Sequence, residues 1–339
     1  MKKIILSFDY ELFFGIKSGT VLNTLINPTN KLMDVMEECD FRGDFFIDVL
    51  MIKYLKKNID ERSKEDLKLI ENQLIDMVRR GHRIELHLHP HWFDAIYNGD
   101  GTRDFKEFSH YMLSAFNESE IIEMFVEGVN YLNSVGSKVI PDYKVCAFRA
   151  GGWAIQPFHI LKNAFVSAGI KIDSSSAYGV YNLLPDSHYD FRKAPQKSLY
   201  YFEDDVCKEV NNGQFIEVPI STYTISLKNF LIHLYYRKRY KYDYSVLTDG
   251  THFRYDLKEN NFLRKSRLYK LFHKNKFWIM YTFSHRNPRM INYLVRHSNL
   301  DYICFIDHPK DFTNTTIYGI RSLKGICESV NYFDLILNY

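Results

Sequence analysis

The chain has 339 residues, of which 46% are hydrophobic and 25% charged, and this composition excludes collagen-like, low-complexity and disordered proteins. The basic side chains number 44 and the acidic ones 41, which gives a net charge of +3. We expect no nucleic-acid partner, because so small a positive excess would not attract a polyanion.

Short apolar runs alternate with amphipathic segments along the chain. The runs typical of strands lie at 4–8, 44–50, 83–89, 144–150, 170–175, 214–220, 277–283 and 302–308. The segments with helical periodicity lie at 27–40, 64–81, 118–133, 156–168 and 286–297. This alternation predicts an α/β fold with parallel strands covered by helices, and about seven or eight such strands favour a closed barrel over an open sheet.

The stretch 178–275 interrupts the alternation, although no Pro-, Gly- or Ser-rich linker, repeat or low-complexity tract accompanies it. We therefore predict a single domain over 1–339 with an elaboration at about 178–275. The elaboration includes a basic, aromatic segment at 231–244. For this segment we favour a solvated basic helix whose aromatic rings pack on the barrel, and the alternative is contact with an anionic membrane or a lipid-linked glycan.

The spacing of the cysteines and the lengths of the apolar runs indicate the cellular compartment of the protein. The 5 cysteines are scattered without a CxxC spacing, which is typical of thiols in a reducing compartment. The apolar run Ile4–Phe8 is too short for a signal peptide, and no stretch approaches the roughly 20 apolar residues that cross a bilayer. These features predict a soluble cytoplasmic protein.

Two acidic residues stand at the end of the first apolar run, where parallel α/β folds carry their reactive side chains. Asp9 and Glu11 are two residues apart, so on an ideal strand they face one side while Tyr10 faces the other. One carboxylate can bind a cation and the other can act as a base toward water activated by the metal. The alternative is a solvated acidic turn.

Histidines are concentrated at the end of the third run. His87 and His91 are four residues apart, and a turn at Pro90 would let both reach one ion. Two imidazoles and a carboxylate form a common catalytic metal set. His89 could replace either histidine, since His-x-His on a strand also shares a face. The alternative is a row of hydrogen-bonded or surface histidines.

The fourth and last runs end in further polar residues. Arg149 would be costly to bury alone, and pairing with Asp9 would relieve that cost and fix the carboxylate. His308 can protonate a leaving amine or alkoxide, although a histidine hydrogen-bonded to backbone near Pro309 is an equal alternative.

Small and aromatic residues flank these motifs. Gly151 and Gly152 allow a close approach of the backbone to a ligand. Trp92 and Trp153 adjoin the polar motifs, and indole rings can stack on the apolar face of a sugar. The alternative for both rings is core packing.

The segments SFDYE, GHRIELHLHPH, FRAGGW, DSSS and DHP occur in the order of the motifs of the polysaccharide deacetylases, carbohydrate esterase family 4. The chain resembles most the variants found in bacterial surface-glycan biosynthesis. The resemblance implies a distorted (β/α)7 barrel and a divalent metal, most often Zn²⁺. It also implies a carbohydrate partner and the removal of acetyl groups, mostly from N-acetylated sugars.

The resemblance also implies site residues. Asp9 would be the catalytic base, steadied by Arg149, and His308 the catalytic acid. Glu11, His87 and His91 would bind the metal, with His89 and Tyr10 as uncertain members of the site. The substrate-binding residues would be Gly151, Gly152, Trp92, Trp153, Asp173 and Ser174. In this chain Asp-Tyr-Glu replaces the family's usual Asp-Asp, and an Asp-x-acid spacing makes Glu11 the ligand.

These observations favour a metal-dependent hydrolase that removes an acetyl group from an N-acetylated sugar or glycan precursor. One alternative is hydrolysis of a C–N bond outside sugars. Another is a catalytically silent barrel that binds glycan or a biosynthetic partner. The sequence makes no prediction of the oligomeric state.

Overall fold

The computed structural model describes residues 1–14, 17–58, 60–105, 109–184, 187–224, 227–241, 243–251 and 278–338. The strands are β1 Lys2–Tyr10, β2 Asp44–Asp48, β3 Arg83–Leu88, β4 Ala95–Tyr97, β5 Arg103–Phe105, β6 Ala147–Ala150, β7 Ile172–Asp173, β8 Tyr181–Leu184, β9 Ser187–Asp190, β10 Tyr200–Phe202, β11 Phe215–Glu217, β12 Thr222–Thr224, β13 Trp278–Met280, β14 Tyr302–Asp307 and β15 Cys327–Ser329. The helices are α1 Asn27–Glu38, α2 Val49–Lys57, α3 Glu61–Arg79, α4 Glu118–Gly136, α5 Lys162–Ala168, α6 Leu227–Arg239, α7 Pro288–Arg296, α8 Asn314–Arg321 and α9 Tyr332–Asn338.

The main sheet has the strand order β10-β11-β7-β6-β3-β2-β1-β14, and β15 pairs with the first residues of β1. Its neighbouring strands run parallel except β10 and β11. Beyond β11 the backbone reaches β14, where the Ser221 amide donates to the Cys304 carbonyl at 3.0 Å. The parallel sheet is thus strongly curled into a half-barrel, which confirms the prediction of a distorted (β/α)7-type barrel.

The central strands are buried on both faces, as expected when helices cover a parallel sheet. In β1, for example, the side chains of Ile4, Ile5 and Leu6 have no exposed surface. The helices α2, α3, α4 and α7 begin at side-chain caps. Asn117 and Glu120 form a capping box at the start of α4, which satisfies backbone N–H groups that the helix leaves unpaired.

Most of the predicted strands and helices are present, but the run at 277–283 was assigned wrongly. Within it, β13 pairs antiparallel with β12 in a separate two-stranded sheet and not in the parallel barrel. An apolar run has the same appearance in either kind of sheet, so the sequence alone does not distinguish them. The predicted helix at 156–168 begins as an α-helix only at Lys162, after a 3-10 turn at Phe158–Ile160.

The elaboration contributes both to the barrel and to its surroundings. β11, in the parallel sheet, lies within 178–275, as do the hairpin of β8 with β9 and the helix α6. The expectation that the aromatic rings of 231–244 pack on the barrel is wrong for Tyr235 and Tyr240, whose exposed fractions are 64% and 46%, while Tyr244 is buried. The single-domain organisation stays a prediction. In the described part of the chain, no helix combines the length and the apolarity needed to span a bilayer.

Candidate metal and catalytic site

The carboxyl ends of four strands of the main sheet, β1, β3, β6 and β14, bring the polar motifs together. Asp9 lies near the end of β1, with Glu11 just beyond it, and His87 lies near the end of β3. Arg149 pairs in register with His87 across β3 and β6, and His308 directly follows β14. Because parallel strands share one direction, their carboxyl ends form one rim, and this rim carries the candidate site.

Asp9 is held by an arginine in the interior of the barrel. Its carboxylate Oδ1 accepts a hydrogen bond from Arg149 Nη1 at 2.6 Å, and both side chains are almost fully buried. Burial by itself would raise the pKa of Asp9, but the Arg149 guanidinium, with His87 and His308, outweighs it and holds that pKa below its ordinary value. The predicted pair is therefore present, and Asp9 is an anion.

Arg149 uses its other donors on the structure beneath the site. Nε donates to the Ser174 carbonyl at 2.8 Å, and Nη2 donates to Ser7 Oγ at 2.7 Å and to Tyr332 Oη at 3.2 Å. The desolvation of the guanidinium is thus offset by hydrogen bonds as well as by the charge of Asp9. This arrangement fixes the orientation of Asp9.

His308 lies between the two carboxylates. Its Nε2 is 3.5 Å from Asp9 Oδ2 and 3.5 Å from Glu11 Oε1, while its Nδ1 is 3.8 Å from Asp311. The imidazole is 18% exposed, so it is the member of this group that solvent reaches. The structure therefore sets a base and a titratable donor side by side.

Glu11 forms the centre of a buried cluster with two histidines. Its Oε2 lies 3.1 Å from His87 Nε2 and 2.7 Å from His89 Nε2. One ligand atom from each of these residues lies within 4.8 Å of the others, and among the described residues this is the group able to hold a metal ion. Burial would raise the pKa of Glu11, but Lys310 and His89 hold it well below its ordinary value.

The tautomer of His87 favours a cation at this cluster. His87 Nδ1 lies 2.7 Å from the Arg149 carbonyl oxygen, which can only accept, so Nδ1 carries a proton. In a neutral ring, Nε2 then turns a lone pair toward the Glu11 carboxylate. The lone pair of His87 Nε2 and the Glu11 carboxylate oxygen repel each other unless a cation lies between them, and this cation is either a metal ion or a second proton on the ring. A histidine held by a backbone carbonyl is also the arrangement that orients metal ligands.

His89 is a neutral ring with a free nitrogen. Burial lowers its pKa to about 4 despite the adjacent Glu11 carboxylate, and Nδ1 is buried without a hydrogen-bond partner in the described structure. A neutral imidazole is the form that binds metals. The donor set of one carboxylate and two imidazoles therefore fits a divalent metal, and Zn²⁺ binds such sets.

The expected ligand His91 lies outside this cluster. β3 ends at Leu88, so His87 and His89 still share a face, whereas His91 falls in the 3-10 turn Pro90–Asp94. Its ring packs against Phe14 and Phe105, and both of its nitrogens are buried without a partner. Among the described residues the geometry groups His89, and not His91, with Glu11 and His87, and the pairing of His87 with His91 that the resemblance implies stays a prediction.

Trp92 is buried beneath the histidine segment. It is 2% exposed, and its indole Nε1 donates to Asp48 Oδ2 at 2.6 Å. Asp48 Oδ1 also lies 3.3 Å from the donating amide of His89, and burial raises the Asp48 pKa to about 7. Trp92 and Asp48 thus support the histidine segment, and the stacking of Trp92 on a sugar stays a prediction.

The FRAGGW motif closes one wall of the site. A Cβ on Gly151 would come within 2.5 Å of the Leu88 carbonyl oxygen and 2.6 Å of His89 Nδ1, so only glycine fits there. Gly152 has a φ of +57° and faces Tyr111. Trp153 is half-buried and meets Tyr189 edge-on, so it keeps an accessible surface. Of the two expected stacking rings, this is the one within reach of solvent.

Asp173 and Ser174 lie beneath the site. Ser174 Oγ donates to the Val218 carbonyl at 2.9 Å, and Asp173 accepts from the Ser175 amide and hydroxyl. Both are fully buried and support Arg149 and the Ser175 loop, and their expected role in substrate binding stays a prediction. Tyr10 is also outside the site: its hydroxyl donates to Gln73 Oε1 at 2.9 Å on the opposite face of β1.

Two residues of the site were not predicted, Asp48 and Lys310. Asp48 is the last residue of β2 but lies inside the predicted apolar run at 44–50, so the signal that singled out Asp9 did not mark it. Lys310 is 5% exposed, and its Nζ donates to Glu11 Oε1 at 2.6 Å. No sequence signal marks it, because a lysine in a turn after a strand is ordinarily exposed.

The fold and the site together define a curled parallel α/β barrel with a buried glutamate–histidine cluster beside an arginine-paired aspartate. No protein-family model matches the sequence, and no curated protein matches it either. Solved structures match at low sequence identity, and among them are polysaccharide deacetylases and family 4 carbohydrate esterases, together with a glucanotransferase. Structures of the kind that the sequence motifs resemble are thus among those that match.

Three of these structures show the range of similarity. A protein assigned as a polysaccharide deacetylase from Mycobacterium smegmatis is 13% identical, with 99% of this chain and 88% of the other covered and a TM-score of 0.47. The 4-alpha-glucanotransferase from Thermococcus litoralis is 11% identical, with 100% and 40% covered and a TM-score of 0.49. A family 4 carbohydrate esterase from Streptomyces lividans in complex with acetate is 9% identical, with 53% and 63% covered and a TM-score of 0.30.

Proposed function

We propose that the protein is a metal-dependent hydrolase that removes an acetyl group from an N-acetylated sugar or glycan precursor. The observation that carries this proposal is the joint position of an anionic Asp9, a solvent-reached His308 and the Glu11–His87–His89 cluster on one rim. A base, an acid and a set of metal ligands are the groups that amide or ester hydrolysis needs.

Asp9 is the proposed base. Its Oδ1 is occupied by Arg149, whereas its Oδ2 faces His308 and the space beside the cluster. Oδ2 can therefore take a proton from an attacking water while Oδ1 stays bound. The lowered pKa keeps Asp9 ionised at neutral pH, so the base is in the form that accepts a proton.

His308 is the proposed acid. It is the most exposed member of the group and stands between the two carboxylates, where it can hold a proton and give it to the leaving nitrogen or oxygen. Glu11, His87 and His89 would hold the divalent metal, for which we propose Zn²⁺. When bound, such a metal supplies Lewis acidity toward the acetyl carbonyl and makes a nearby water more acidic.

The carbohydrate substrate is proposed on the accessible surface beside the rim. Trp153 is half-buried beside the glycine pair and offers an aromatic face near the cluster. Indole faces pack well against the apolar face of a pyranose.

Acetate release from N-acetylated mono- and oligosaccharides, measured with and without a chelator, tests the proposal. We expect activity that a chelator abolishes and Zn²⁺ restores. Asp9→Asn keeps an oxygen for Arg149 but removes the base, so it should lower the rate by about 10²–10⁴. Asp301→Asn, at an exposed carboxylate, is the matched control and should leave the rate unchanged.

Two results would contradict the proposal. Full activity of Asp9→Asn would show that Asp9 is not the base, and full activity of metal-free protein would show that no metal takes part. Glycan binding without hydrolysis would instead indicate the silent barrel. Release of amine from amides outside sugars, with no release from sugars, would redirect the proposal to another C–N bond.

A further inference from the structure

Lys310 places its ammonium group beside Glu11, in the proposed metal site. Its Nζ donates to Glu11 Oε1 at 2.6 Å and to the Leu12 carbonyl at 3.3 Å. The side chain is 6% exposed, and Nζ lies 4.1 Å from the centre of the Phe14 ring. A buried ammonium with a carboxylate, a carbonyl and an aromatic face around it is held in place, unlike a surface lysine.

The turn that carries Lys310 is itself fixed. It follows β14 directly as a 3-10 turn, Pro309–Asp311, and Thr248 Oγ1 donates to the Lys310 carbonyl at 2.6 Å. Proline at the start of the turn restricts the backbone. The position of the ammonium group next to Glu11 therefore follows from the backbone as well as from the side chain.

Each carboxylate of the site already has a basic partner in the chain. Asp9 is paired with Arg149 and Glu11 with Lys310. A divalent metal at the cluster would therefore add two positive charges next to an ammonium that shares its carboxylate ligand. Like charges that share one buried carboxylate repel each other strongly, because little water is present to screen them.

We propose that Lys310 weakens metal binding at the cluster: it holds Glu11 Oε1 while the histidines face Oε2, so a divalent cation at Oε2 would bind a carboxylate whose charge the ammonium already partly neutralises. This inference rests on the proposed metal-dependent function. The residue thereby sets the metal affinity of the site, and it does so without being a ligand or a catalytic group.

Zinc binding by the purified, chelator-stripped full chain tests the inference, with calorimetry and elemental analysis as the readouts. Lys310→Met keeps the length of the side chain and removes the charge, so it should bind Zn²⁺ about ten- to hundredfold more tightly than the native chain. Lys310→Arg retains the charge and should not gain affinity. Lys197→Met removes a surface lysine that pairs with Glu209 and should leave zinc binding unchanged.

Thermal unfolding gives a second readout that does not depend on activity. In chelator, Lys310→Met should unfold at a lower temperature than the native chain, because Glu11 is left buried without its partner. Zinc should then raise its unfolding temperature by more than it raises that of the native chain. Lys310→Gln repeats both measurements if the Met variant does not fold.

The outcomes separate this inference from the proposed function. Tighter zinc binding by Lys310→Met supports it. Equal or weaker binding by Lys310→Met and Lys310→Gln overturns it, and the metal-dependent hydrolysis would still stand on the activity of the native chain. If neither the native chain nor the variants bind zinc, both this inference and the proposed zinc site are overturned.

Discussion

Arg149 donates to Asp9 at 2.6 Å from beneath the rim, and its remaining donors are bound by the strands and loops around it. The guanidinium thus joins the catalytic carboxylate to the folded core. A change at Arg149 is therefore expected to alter stability and catalysis together.

Replacement of Arg149 by Met should destabilise the protein by about 3–5 kcal/mol, because Asp9 would remain buried without a compensating charge. The measurement is urea unfolding, read by circular dichroism. Arg321 forms a pair with Glu38 at the surface, so Arg321→Met should cost less than about 1 kcal/mol. Equal costs for the two variants would contradict the account of Asp9.

Replacement of His308 by Gln should slow deacetylation of N-acetylated sugars by about 10²–10⁴, since a sugar amine is a poor leaving group that needs a proton. An aryl acetate, whose leaving group departs without protonation, should be affected much less. Steady-state rates on both substrates provide the measurement, with the exposed His297→Gln as the control. An equal loss on both substrates would argue against His308 as the acid.

The choice between His89 and His91 as the metal ligand can be tested directly. His89→Gln should abolish stoichiometric zinc binding, whereas His91→Gln should retain it, because the cluster contains the former and not the latter. Elemental analysis after dialysis measures both. The reverse pattern would restore the pairing of His87 with His91 that the family resemblance implies.

A buried carboxyl pair predicts how stability depends on pH. Asp173 and Glu217 lie side by side in register on β7 and β11, and burial, followed by the charge of Asp173, raises the pKa of Glu217 well above its ordinary value. The folded chain therefore keeps a proton that the unfolded chain loses above about pH 4.5. Unfolding then releases this proton, so the contribution of Glu217 to stability should fall with rising pH by about 1.4 kcal/mol per unit until Glu217 ionises in the folded state.

Glu217→Gln should reduce this pH dependence, since glutamine stays neutral and can donate to Asp173 as the protonated acid does. Urea unfolding between pH 5 and pH 9 measures the slope for each variant. Glu209→Gln, at an exposed position, should keep the native slope. An unchanged slope in Glu217→Gln would mean that another group binds the proton.

The rim of the site could be predicted because the carboxyl ends of parallel strands lie at the same edge of the sheet, regardless of the segments that connect the strands. Asp9, His87, Arg149 and His308 were each found at the end of an apolar run for this reason. The sequence pattern also distinguished helices from strands. It did not specify the partner strand of Trp278–Met280.

The ligand pair and the lysine could not be predicted in the same way. Whether His89 or His91 faces Glu11 depends on the residue at which β3 ends, and strand ends are uncertain by a few residues in any sequence pattern. Lys310 reaches Glu11 only because a 3-10 turn directs its side chain inward. Both facts depend on backbone geometry over one or two residues.

The closeness of Gly151 to the histidine segment has a consequence for mutational tolerance. A single methyl group at this position would press on the Leu88 carbonyl and on the unpaired nitrogen of His89 at the same time. An alanine at position 151 would push the His89 imidazole away from Glu11. An uncharged substitution at Gly151, which offers no ligand atom of its own, would therefore weaken the binding of a cation by the cluster.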